Sequence, residues 1–105
     1  MYATVRRYDG VTNAHEAGKR VNEGFVPMIS QLPGFVAYYW VDAGDGVMIS
    51  ASIFQDQAAE EESNRKAAEW VRENNMSSLL PNPPTITAGE VVAYKASKLE
   101  ADRAA

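Results

Sequence analysis

Gln31-Leu-Pro-Gly-Phe-Val-Ala-Tyr-Tyr-Trp-Val-Asp-Ala-Gly-Asp-Gly-Val-Met-Ile-Ser-Ala-Ser-Ile-Phe54 reads as the end of a helix, a Pro-Gly corner and two strands folded about a Gly-Asp-Gly reversal. Gly44 and Gly46 supply the positive φ angles that a tight reversal needs, and Asp42 and Asp45 tolerate such turns. Tyr38, Tyr39 and Trp40 put large rings on both sides of the first of these strands, so both sides need cover. The hairpin register stays open. A two-residue loop puts Tyr39 and Val41 on the face of Met48 and Ser50, whereas a three-residue loop puts Tyr38 and Trp40 there.

Upstream of the hairpin, Tyr2 to Asp9 alternates as a strand, and Thr12 or Asn13 caps a helix with Glu16 in its first turn. Ala17, Val21, Phe25, Met28 and Leu32 form that helix's apolar stripe. Pro27 lies inside the stripe, where it removes a backbone donor, and this predicts a kink or break near Gly24. Downstream, Asp56 caps a second helix with Ala59, Ser63, Ala67, Trp70 and Val71 along one side. Glu60-Glu61-Glu62 reads as a solvated, helix-starting charge run, too contiguous for convergent metal ligation. Pro81-Asn-Pro-Pro84 is a stiff loop, Thr85 to Ala96 is the last strand, and Ser97 to Ala105 is a charged, Ala-rich tail. A single domain over residues 1–96 is expected.

The order is therefore βαββαβ, an α+β ferredoxin-like arrangement of a four-stranded antiparallel sheet with two helices on one face. The smaller apolar sides, Ala3/Val5, Val47/Ile49/Ala51/Ile53 and Val91/Ala93, are expected under the helices. The other face then carries Tyr2, Tyr8, Met48, Phe54, Val92 and Tyr94, with either Tyr38 and Trp40 or Phe35 and Tyr39. That is more apolar surface than a soluble monomer tolerates, and the expected cover is a second copy packed sheet to sheet in an isologous homodimer.

With 46% hydrophobic residues and no cysteine, the 105-residue chain can bury a core without disulfides, and thiolate chemistry is excluded. A net charge of −4 and the lack of a clustered Lys/Arg stripe argue against nucleic acid as a partner. No apolar run approaches the roughly 20 residues of a membrane helix, and Met1 to Arg7 lacks a secretory apolar region, so no membrane partner and a cytoplasmic location are expected.

The βαββαβ order, the Leu32-Pro33-Gly34-Phe35 lead into the second strand and Ile53-Phe54-Gln55-Asp56 before the second helix together resemble the dimeric α/β-barrel superfamily, which includes the antibiotic-biosynthesis-monooxygenase-like domains. The resemblance runs from Tyr2 to about Tyr94. It implies two subunits closing a barrel, with a cavity in each between sheet and helices that holds an aromatic or polyketide-like substrate oxidised without metal or flavin; no cofactor is expected. Other relatives degrade haem or isomerise small lactones. Haem-degrading relatives place a histidine on the second helix, whereas Glu60 to Asn75 contains none.

Each candidate ligand-binding residue has a structural reading beside the functional one. Arg6 and Glu90, across adjacent first and last strands, bind a substrate oxygen or form an ion pair. Ser50 and Ser52 hydrogen-bond a ligand or line an interface, and neither is a triad nucleophile without a positioned base. Tyr38, Trp40 and Trp70 stack on an aromatic ligand or fill core and interface, and Asn64 faces a pocket or water. Tyr94, on the last strand, joins the ligand-binding candidates. His15, the only histidine, sits in an exposed first helical turn, and the Gly-Asp-Gly turn lacks the lysine and helix of a phosphate loop. Two functions follow: a small oxygenase-like or isomerase-like enzyme acting in the barrel cavity, or a noncatalytic dimer whose rings fill it. A cavity of about 300 Å³ or more lined by Arg6, Ser50 or Glu90 separates the first from the second.

Overall fold

The structure, a computed structural model, describes residues 1–97 of the chain. Its elements are β1 (Tyr2–Tyr8), α1 (Ala14–Arg20), a π-helical segment Val21–Phe25, α2 (Val26–Ile29), β2 (Phe35–Gly44), β3 (Val47–Phe54), α3 (Gln57–Glu73), a 3₁₀ turn Met76–Ser78 and β4 (Thr85–Glu90). The strands form one antiparallel sheet in the order β2-β3-β1-β4, the ferredoxin-like topology. β4 is shorter than expected. Its ladder ends at Glu90, after which the Val91 N–H donates to Met1 O at 2.9 Å and residues 91–97 have no regular structure. The expected tail lies, apart from Ser97, outside the described residues.

Asn13 rather than Thr12 caps α1: its side-chain oxygen accepts from the Glu16 N–H at 3.1 Å, while the Thr12 hydroxyl donates to Ser78 O at 2.9 Å. The irregularity expected from Pro27 is a local widening. Pro27 has no N–H to give Glu23, and just upstream the Val26 N–H reaches back to Val21 O, so the chain runs α1, π-helical segment, α2 without a break. On α3, Asp56 caps the helix by accepting from the Ala59 N–H at 2.8 Å.

The hairpin settles the register in an unforeseen way. Asp45 and Gly46 form a two-residue loop with positive φ at both, 53° and 76°. One extra residue, Ala43, is accommodated between the Asp42↔Met48 and Gly44↔Val47 pairs as a bulge, so Tyr38 and Trp40 share the face of Ser52 and Ser50, the outcome expected of a longer loop.

The sheet is covered on the side opposite to the one expected. Thr4, Arg6, Tyr8, Met48, Ser50, Ser52 and Phe54 are buried under the helices, with Phe25 of the π-helical segment 5.1 Å from the Tyr38 ring and 5.4 Å from Trp70 of α3. The open face carries Ala3, Val5, Ala37, Tyr39, Val41, Ile49, Ala51 and Ile53. An alternating pattern says which residues share a face but not which face is covered. Here Tyr8, Tyr38, Trp40 and Phe54 went beneath the helices with Thr4, Arg6, Ser50 and Ser52, and mostly smaller aliphatic side chains, together with Tyr39 and Arg7, stayed outside.

Candidate functional site

Two cross-strand rows under the helices place the polar groups. Antiparallel pairing lines up Tyr38, Ser52, Thr4 and Ala88 in one row, and Trp40, Ser50, Arg6 and Ile86 in the next. Above them α3 lays Glu60, Asn64, Ala67, Ala68 and Val71 along one side, because positions three and four apart share a helix face.

The two layers meet in a hydrogen-bonded chain. The Thr4 hydroxyl and the Asn64 amide both donate to Glu60 Oε1, and the Arg6 guanidinium donates to Asn64 Oδ1. Thr4 and Glu60 are 0% and 2% exposed and Arg6 is 8% exposed, so a carboxylate and a guanidinium are both held almost out of water. Asn64 spans the space between them with acceptor toward the cation and donors toward the anion. Among the described residues no acidic side chain lies within ion-pair distance of Arg6. Burial pushes the Tyr8 and Tyr38 hydroxyls above the usual phenol range, with Arg6 pulling the other way in both and a Ser50 hydrogen bond doing so in Tyr38. The Trp40 indole N–H and the Ser52 hydroxyl are buried with no hydrogen-bond partner among the described residues.

Two spaces adjoin Arg6. The inner one, among Tyr8, Phe25, Tyr38, Trp40, Ser50 and Trp70, is only about 20 Å³, room for about one water molecule. The rings fill it themselves, with Tyr8 and Trp40 centred 5.4 Å apart. The outer one is a groove of about 410 Å³ that runs from Arg6, Tyr8 and Asn64 along Ala67, Ala68 and Val71 to Pro81, Asn82, Pro83, Pro84 and Ile86. It exists because β4 is an edge strand that α3 does not overlie completely: Ile86 points to the helix side and is still 56% exposed.

No protein-family model matches the sequence, and no curated protein matches it. Solved structures do match. A protein of unknown function from Nitrosomonas europaea superposes with a TM-score of 0.75 at 21% identity over 91% of this chain and 93% of its own. A monooxygenase of Streptomyces coelicolor, in complex with the ligand nanaomycin D, gives 0.70 at 19% over 92% of each chain. SnoaB, a cofactor-independent oxygenase of Streptomyces nogalater, gives 0.59 at 16% over 92% and 96%. The fold is that of the antibiotic-biosynthesis-monooxygenase-like domains. In this fold the space between sheet and helices is the interior, and Arg6, Ser50, Ser52, Tyr38, Trp40 and Asn64 all lie in it.

Two sequence candidates fall elsewhere. Glu90 is exposed and pairs with Tyr2, four residues along β1 from Arg6 or about 13 Å at strand rise, so the expected Arg6–Glu90 pairing is not formed. Tyr94 follows β4 at 54% exposure and borders Phe35, Ala37, Tyr39 and Ile53 outside the interior. His15 is exposed, as its position implied. Glu60 is a further residue that sequence reasoning placed wrongly. Glu61 and Glu62 are exposed as expected of a charge run, but Glu60 is buried, and the available signal was its place four residues before Asn64 on the side of Ser63 and Ala67. Among the described residues no group of three or more His, Cys, Asp or Glu is placed to hold a metal ion, and no helix is long and apolar enough to cross a membrane.

Proposed function

We propose that this protein binds an apolar or aromatic small molecule beside Arg6 and oxidises it with dioxygen, without metal or flavin, as a monooxygenase-like enzyme. The observation that carries the reading is the Thr4–Glu60–Asn64–Arg6 chain, a buried polar constellation ending in a cation at the head of an apolar groove. Oxidation by dioxygen alone requires that the substrate first lose a proton and that the resulting anion be held. A buried guanidinium with donors to spare suits that anion, and a water-poor setting strengthens the hold. The likeness in fold to a cofactor-independent oxygenase supports the reading. Its assembly is proposed as a homodimer through the open sheet face, where Val5, Tyr39 and Val41 are 41%, 50% and 50% exposed.

The test is oxygen uptake with 1,8-dihydroxyanthrone in chelated, flavin-free buffer. Its central methylene becomes a carbonyl at the expense of one dioxygen, which ends as that carbonyl oxygen and one water. Uptake above the spontaneous rate is expected, with Arg6→Met lowering it about 100-fold, the usual effect of removing one group that holds a developing oxyanion. A specific favourable observation keeps the noncatalytic alternative in view: the rings fill the inner space to about 20 Å³. Ligand binding with no protein-dependent uptake would decide for that alternative.

A further inference from the structure

Arg6 is a buried cation that no acidic side chain among the described residues contacts directly. Among the described residues its guanidinium donates to a neutral amide, and Asn64 stands between it and Glu60. A guanidinium is a planar fork of donors suited to two oxygens of one anionic group, so donors remain for a ligand. Tyr8 and Tyr38, the titratable groups that act electrostatically with Arg6 from the sheet, are held protonated by burial and supply no counter-charge at neutral pH. Glu60, the titratable group facing it from α3, lies behind Asn64. A second negative charge on a ligand would meet that carboxylate across the amide.

The volumes say where the body of such a ligand goes. The ring-lined inner space of about 20 Å³ admits no carbon skeleton, whereas the groove of about 410 Å³ accommodates a small polycyclic molecule against Val71, Pro81, Pro83 and Pro84. Prolines there make a wall with fixed backbone, and the Asn82 side chain ties the loop to Asp9 O at 3.1 Å, so the wall is anchored to the end of β1.

We infer that the ligand of this site carries a single negative charge on oxygen, seated on Arg6, with its apolar body along the Pro81–Pro84 wall rather than among the rings. The inference rests on the reading of this interior as a ligand site and narrows the ligand's class. It makes Asn64 and Glu60 positioning residues for Arg6.

Calorimetric titration with matched probes tests it. 2-Naphthoate carries the charge, 2-naphthamide has the same skeleton without it, and 2,4-dinitro-1-naphtholate carries it on a phenolic oxygen. 2-Naphthoate or the naphtholate is expected to bind at least about tenfold more tightly than the amide, the tighter of the two naming the source of the charge. Arg6→Met, checked for native circular dichroism, is expected to abolish that preference while leaving amide binding within about twofold. Ala68→Trp, at an exposed helix position lining the groove, is expected to weaken every probe at least about tenfold with no loss of fold. Equal binding of acid and amide, or an unchanged preference in Arg6→Met, overturns the charge assignment while the oxygen-uptake test still stands. Unchanged binding in Ala68→Trp overturns the groove placement. Absence of binding by all three probes removes the ligand-site reading itself.

Discussion

Asn64 shows how charge fixes a side chain. A cation on one side and a carboxylate on the other leave its amide a single orientation, since the reverse would aim its donors at Arg6 and its oxygen at Glu60. Removing Glu60 strands the Thr4 hydroxyl and the Asn64 amide in a buried setting. Glu60→Ala is accordingly expected to cost about 2–4 kcal/mol in urea unfolding, and Glu60→Gln, which keeps an acceptor oxygen, clearly less. The tyrosines make stability pH-dependent in the alkaline range. Tyr8 and Tyr38 hold their protons in the folded state above the ordinary value of 10.0 reached on unfolding, so their contribution is whole below that pH and is lost as pH rises above it. A falling melting temperature above about pH 10 is expected, with a shallower fall in the Tyr8→Phe/Tyr38→Phe double variant. Arg6, Ser50 and Asn64 were candidates from the sequence, Arg6 through a pairing with Glu90 that is not formed and Asn64 with its facing left open. Glu60 was not, because a run of three glutamates looks solvated until the helix face of the first is fixed by packing.

The elements were easier to read than their faces. Element order, both helix caps and the irregularity upstream of Pro27 follow from local chemistry that sequence spells out. The bulge at Ala43 does not, since one extra residue in a strand leaves no compositional mark, yet it decides which rings of β2 point to the helices. Choice of face failed for a related reason: both sides of β1 and β3 alternate, and only packing of Phe25, Trp70 and Leu80 against one of them breaks the symmetry. The Pro33-Gly34 corner is the element junction most exposed to test. Gly34 has φ of 84°, and a Cβ there would lie 2.9 Å from the Ala59 Cβ at the start of α3. Gly34→Ala is expected to destabilise by about 2–3 kcal/mol through backbone strain and the clash, read as a lower urea midpoint at unchanged slope.

At the scale of the whole molecule the sheet separates two tasks. Its helix-covered side presents Arg6 to the groove, and its open side offers Val5, Tyr39, Val41 and Ile49 in adjoining rows. A dimer through that open side is expected to dissociate in Val41→Lys/Ile49→Lys, since a pair of lysines at the centre of an apolar interface adds like charges on both copies; sedimentation should then report the monomer mass where the parent reports twice it. The central claim concerns the other side: a small-molecule site headed by a buried arginine that no carboxylate among the described residues contacts. Its most direct test is a crystal structure of the protein soaked with 2-naphthoate. The account predicts the carboxylate within about 3.2 Å of the Arg6 guanidinium and the rings against Pro81 to Pro84. Naphthoate bound away from Arg6, with the groove beside it empty, would contradict it.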